Sequence, residues 1–184
     1  VLLKNQKHFI YRQSNSILKY SMNFDFDFGF LLNDDIVIKN KQWDLHYYEA
    51  YENTDFDHLV FFDKGFKNID HEDYDTYLQS FCSAENCQGA FFTFTKKMIE
   101  KVGYFDENNF KIRGHSHIDF TLRCCRNGFN RTDKLWDLIN SQDYLELNND
   151  DYISSFVKLP LFLRENHKVD VYELERRYKL INDQ

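Results

Sequence analysis

Apolar residues along the chain follow two rhythms, short unbroken runs and helical spacing, and the two alternate. Residues 14–22 read as a helix with Ile17, Leu18 and Met22 on one face. Phe28-Gly29-Phe30-Leu31-Leu32 is a continuous apolar run of strand length, suited to burial on both faces as in a parallel sheet. It stops abruptly at Asn33-Asp34-Asp35. Asn40 can cap a following helix that carries Trp43, Tyr47, Ala50 and Tyr51 at helical spacing. Residues 58–62 form a second strand, closed by Asp63-Lys64-Gly65, and residues 66–80 are polar, acidic and without a clear period, as in an irregular loop. A third strand covers 89–94. Thr95 then caps a short helix over 96–102, and Gly103 sits where a glycine ends a helix. Residues 104–116 read as a loop. A helix over 117–127 follows, with Phe120 and Cys124 inward and Gly128 at its end. Beyond it the pattern weakens to a short strand at 144–147 and a last amphipathic helix from Asp170 to Ile181. Strands alternating with helices predict an α/β class with a mostly parallel sheet flanked by helices.

Composition narrows this picture. The 184 residues suit one domain, and neither a repeat nor a Gly-, Ser- or Pro-rich linker divides them. Nineteen Phe and twelve Tyr supply much of a 42 % hydrophobic fraction, which excludes a disordered chain. No apolar run approaches the ~18 residues of a membrane span, and no secretory leader is visible. The first residue is Val, so a fragment or a processed product is expected. A net charge of −7 argues against general nucleic-acid binding while permitting a local phosphate site. Cys82, Cys87, Cys124 and Cys125 fit no standard zinc spacing, and they read as reduced thiols of a cytoplasmic protein, peripheral to a membrane at most.

Two segments carry candidate chemistry. Asn33-Asp34-Asp35 ends a buried strand, and ligands of open α/β sheets bind outside the carboxyl ends of strands. Paired carboxylates there suit a hard divalent ion such as Mg²⁺ or Mn²⁺, which prefers oxygen and bridges to phosphate. The plainer reading is a solvated turn. In the second segment, Gly114 to Arg123, His117 and Asp119 lie near the start of a helix, where either can act as a general base. The plainer reading there is helix capping by Ser116 with surface histidines.

Together these segments resemble the glycosyltransferase family 2 enzymes of the GT-A fold. The carrying residues are Asn15-Ser16-Ile17-Leu18, the run Phe28 to Ile36 with its DxD-type acidic end, Gly89 to Phe94, Lys101-Val102-Gly103-Tyr104-Phe105-Asp106-Glu107, and the frame Gly114, Asp119, Phe120, Arg123, Gly128. Order and spacing agree over about residues 15–130. The resemblance implies a partial GT-A domain over 1–135, Rossmann-related and lacking its first βα units, with a C-terminal extension over 136–184. It implies transfer of a sugar from a nucleotide-sugar, with a UDP-sugar as the default, to a glycan, lipid-linked or other hydroxyl acceptor with inversion. Asp35 would hold Mn²⁺ or Mg²⁺, Asp34 and Asn15 would lie at the donor, and His117 or Asp119 would be the base. Where the family has a Glu-Asp pair, this chain has Ser116-His117. The family's further metal ligand, a downstream His, has His167 as its candidate here.

Two other classes compete. A truncated or degenerate transferase domain can serve as a non-catalytic interaction module. His115-Ser116-His117-Ile118-Asp119 also imitates the HxHxD start of zinc hydrolases, but Phe120 stands where a further His is required. Trp136 is a candidate sugar-stacking residue. Asn130-Arg131-Thr132 fits a glycosylation sequon without a sign of secretion, and Asp70–Asp75 reads as a solvated surface run.

Overall fold

A computed structural model describes residues 10–63, 73–83, 87, 89–110, 116–130 and 134–148. In chain order the elements are α1 (Ile10–Ser21), β1 (Gly29–Leu32), β2 (Ile36–Ile38), α2 (Trp43–Thr54), β3 (Asp73–Tyr74), β4 (Leu78–Ser83), β5 (Phe91–Phe94), α3 (Lys96–Val102), α4 (Ser116–Arg126), β6 (Lys134–Leu138), a 3₁₀ turn (Ser141–Asp143) and β7 (Leu145–Leu147). The class is mixed α/β. The C-terminal helix expected over 170–181, and His115 and His167, lie outside the described residues.

The central layer is built on residues 58–62. The Val60 amide donates to the Trp136 carbonyl of β6, while Phe61 donates to Phe91 and Thr93 to Leu59, joining the same segment to β5. β5 pairs on its other edge with β1, Gly29 opposite Phe94 and Leu32 opposite Phe91. β6 pairs on its other edge with β4, and β4 with β3. Side chains alternate cleanly. Val60, Phe62, Phe92, Phe94 and Leu31 join one apolar cluster, with Leu18 of α1, Met98 and Ile99 of α3 and Phe120 and Cys124 of α4. Leu59, Phe61 and Phe91 join a second cluster, with Tyr47 and Ala50 of α2, Trp136 and Leu138. The layer is therefore covered on both faces.

That double cover is what the unbroken apolar runs report. Strand direction is a separate matter, and here the structure differs from the expected parallel sheet. Every described ladder is antiparallel, including β2 against β7. Apolar residues at consecutive positions record burial on two faces and carry no information about whether a neighbour runs up or down.

Other differences are local. α1 turns Tyr11, Ser14, Asn15 and Leu18 inward, at helical spacing, and leaves Ile17 exposed. Asn40 Oδ1 accepts from the Gln42 amide in a short turn, and α2 starts at Trp43, after Gln42, with no side-chain cap. Part of the expected loop 66–80 is strand, as β3 and the start of β4. β2 and β6 had no counterpart among the expected elements. β6 hides because Asp137 interrupts its apolar pattern. That carboxylate is buried, accepting from the Tyr47 hydroxyl (2.7 Å) and from the Phe62 and Leu138 amides (3.1 and 2.8 Å). Burial pushes it up to about 6, against hydrogen bonds from Ser141, Tyr47, Phe62 and Leu138 that pull it down. No helix among the described residues is long and apolar enough to cross a membrane.

Candidate active site

The acidic turn is held from three directions. Asn33 to Ile36 closes on itself, the Ile36 amide donating to the Asn33 carbonyl at 3.3 Å. Asn33 is tied to the segment before β5: its amide donates to the Ala90 carbonyl at 2.8 Å and its Nδ2 to the Gly89 carbonyl at 3.4 Å. From the other side the Asn148 amide, just past β7, donates to the Asp35 carbonyl at 2.8 Å. Asp34 is exposed on this turn and Asp35 half-buried. A turn fixed at both shoulders presents its carboxylates at a set place.

His117 meets the same segment from the helical side. It is the second residue of α4, and its Nε2 lies 2.9 Å from the Cys87 carbonyl. Its ring lies against Gly89: a Cβ on that residue would stand 2.4 Å from the ring's Cγ and 2.6 Å from Nδ1. Gly89 also has φ +73°, where side chains are strained. Glycine is thus required twice, by backbone conformation and by the imidazole above it. The acidic turn holds the Gly89 carbonyl, and His117 covers the Gly89 Cα. Gly89 was read in the sequence as part of a strand; here it joins the two candidate segments.

Asp119 and Asn15 are placed differently. Asp119 is buried, and its Oδ2 accepts from Arg123 Nε at 2.9 Å, one helical turn on. Arg123 then donates to the Val102 and Tyr104 carbonyls at 2.6 and 2.9 Å. Those oxygens lie at the end of α3, where carbonyls lack helical partners. Gly103, at φ +80°, turns the chain there as expected, and Thr95 caps the other end by accepting from the Met98 amide. Asn15 grips the following residue: its Nδ2 donates to the Phe105 carbonyl and its Oδ1 accepts from the Phe105 amide, both at 2.9 Å. Asp106 accepts from the Asn108 and Asn109 amides. So the motif Gly103 to Glu107 is a loop clamped by α1 and α4, and two expected site residues are among its clamps.

Sequence reading missed a buried histidine behind the site. His58 is fully enclosed, with Nδ1 3.2 Å from the Thr93 carbonyl and Nε2 3.0 Å from Thr121 Oγ1. Burial pushes it down from 6.5 to about 4, against the hydrogen bond to Thr93 that raises it. Thr121 Oγ1 in turn lies 3.5 Å from Cys87 Sγ. The only sequence signal was a polar residue at the head of an apolar strand. Trp136 was the stacking candidate; it is buried against Phe56 in the second cluster and is core. Ser116 is the first residue of α4 and is buried.

Among the described residues no three His, Cys, Asp or Glu side chains gather as a ready metal cage. The acidic turn offers two neighbouring carboxylates, Asp34 and Asp35. That donor set fits a hard cation bound mainly by water and substrate phosphate, with one or two protein carboxylates.

The chain is similar to a protein of Acanthamoeba polyphaga mimivirus named uncharacterized glycosyltransferase R363, at 28 % identity over 151 residues. The match covers 81 % of this chain, which spans 57 % of that relative's length. No family model matches the chain. No solved structure matches it either.

Proposed function

We propose that this chain is the acceptor-side part of a sugar transferase of the family 2 type, moving a sugar from a UDP-sugar to a hydroxyl acceptor with inversion. The observation that carries the reading is the junction at Gly89, where a fixed acidic turn and a histidine meet on one short segment. The similarity to a protein named a glycosyltransferase supports the same class. Asp35, with Asp34 beside it, is the place for Mn²⁺ or Mg²⁺, which when bound supplies Lewis-acid neutralisation of the diphosphate. His117 is the base. Its Nε2 lies 2.9 Å from the Cys87 carbonyl, a contact that orients the ring. The imidazole takes the proton of the acceptor hydroxyl. The freed oxygen forms its bond to the anomeric carbon as the bond from that carbon to the nucleotide's phosphate oxygen breaks. Asp119 and Asn15 enter as supports of the clamped loop rather than as groups at the reacting atoms.

Calorimetric titration of UDP with and without Mn²⁺, on the wild type and Asp35→Ala, tests this. Binding that requires the ion and disappears in the variant is expected. Binding of equal strength in all three settings would remove the acidic turn from the donor site.

A further inference from the structure

Strand β1 is paired along one edge. The Asn33 amide donates to the Ala90 carbonyl, and in an antiparallel ladder the hydrogen-bonded residues alternate. Gly29, Leu31 and Asn33 therefore face β5, opposite Phe94, Phe92 and Ala90, while Phe30 and Leu32 aim their N–H and C=O groups away from it. Among the described residues no backbone group meets Phe30 or Leu32 on that side. The edge is apolar from Phe28 to Leu32, without the lysine or proline that blunts an exposed edge. Its side chains already have walls on both faces. Leu31 is buried in the first cluster, Phe30 lies against Trp43 (4.7 Å between ring centroids) and Phe28 stacks on Tyr51 (4.6 Å). Carboxylates stand at each end: Asp25 and Asp27, both exposed, before the run, and Asp34, exposed, and Asp35, half-buried, after it.

Such an edge suits an apolar strand with a cation at each end. The chain holds one beyond its described residues. Leu159-Pro160-Leu161-Phe162-Leu163 matches Phe28 to Leu32 in length, and Lys158 and Arg164 bracket it. We infer that residues 159–163 add to the open edge of β1 as an antiparallel strand, with Pro160 opposite Leu31. The direction comes from where the described chain ends. The Asn148 amide donates to the Asp35 carbonyl, so the polypeptide leaves β7 at the C-terminal end of β1. The ten residues 149–158 span up to ~33 Å, enough to turn and run back along β1. The register comes from the proline. Pro160 has no N–H, so it belongs where that position faces away from β1. Opposite Leu31, it leaves Leu159 and Leu161 to exchange backbone hydrogen bonds with Leu32 and Phe30. The same register sets Arg164 across from Asp27 and Lys158 beside the acidic turn. A shift of two residues either way puts Lys158 or Arg164 against the apolar run. The inference stands apart from the transferase reading.

Amide hydrogen exchange of the full chain, followed residue by residue by NMR, tests it. Phe30 and Leu32 are expected to exchange slowly, although β5 pairs neither of their amides. Leu161→Pro removes the N–H that bonds to Phe30, and it is expected to speed exchange at both positions by about tenfold, the worth of one hydrogen bond. Leu31, paired to β5, keeps its protection and reports that the fold stands. Arg164→Glu is expected to act in the same direction, and adding Asp27→Lys to it is expected to restore protection. That charge swap decides the matter if Leu161→Pro also exposes Leu31. Unprotected rates at Phe30 and Leu32 in the wild type would overturn the inference. So would protection untouched by both Leu161→Pro and Arg164→Glu. Protection that fades on dilution would give the edge to a second copy of the chain and overturn it too.

Discussion

Helix α4 carries two side-chain pairs with the same i,i+4 spacing and opposite employment. Asp119 and Arg123 form an ion pair turned inward onto the end of α3, filling carbonyls that would otherwise be orphaned. His117 and Thr121 reach toward Cys87 and Gly89, beside the acidic turn. The first pair uses charge to build a loop. The second makes hydrogen bonds to Cys87, in the segment before β5. A charged motif therefore marks the structural half of this helix, while its plainer-looking half faces the candidate chemistry.

The largest expected effect separates the two pairs. Asp119→Ala leaves the half-buried Arg123 without its carboxylate, and losing a hydrogen bond between charged groups costs about 2 to 3 kcal/mol. Urea unfolding measures it, and Asp119→Asn, which retains an acceptor for Arg123, should recover much of the loss along with transfer activity. A stable Asp119→Asn protein without activity would break the comparison by making Asp119 a reacting group. Next is Gly89→Ala, at about 2 kcal/mol from the left-handed backbone alone. Its methyl must also displace the His117 ring, so transfer should fall further than stability does, as kinetics and unfolding on one preparation would reveal.

The smallest effect lies in pH. Between about pH 4 and 6 the folded chain keeps a proton on Asp137 that the unfolded chain releases, so stability falls as pH rises. Between about pH 4 and 6.5 the unfolded chain binds a proton on His58 that the fold refuses, so stability rises with pH. The two slopes oppose one another in the same window. Asp137→Asn should leave a rising profile and His58→Gln a falling one, each with a limiting slope of about 1.4 kcal/mol per pH unit. Denaturant midpoints measured from pH 4 to 7 would detect it, and unchanged profiles would place His58 in contact with water.

Features set by neighbours in sequence were legible. The Thr95 cap, the Gly103 turn, α3 and the body of α4 depend on a few adjacent residues, and all stand where local chemistry predicts. The acidic turn and His117 were each visible as candidates. Their meeting was not, because the contact runs through a glycine that has no side chain to betray it. His58 was hidden because a strand's periodicity says which face a residue takes and nothing of the threonine waiting there. β6 was lost because Asp137 reads as polar, although Tyr47 and two backbone amides make it an inside residue. Strand direction was lost because both directions bury the same side chains.

Asn130 carries a consequence for where the protein can be made. Its side chain is fully buried, and its Nδ2 donates to the Lys134 carbonyl at 3.3 Å. That nitrogen is the atom an N-glycan would occupy in the sequon Asn130-Arg131-Thr132. A sugar there and the native chain exclude one another. In a secretory expression host the enzymes that attach glycans would meet this asparagine only before folding, and each glycosylated molecule would be one withdrawn from the folded pool. Production in bacteria, or an Asn130 substitution that forgoes the hydrogen bond, avoids that trap.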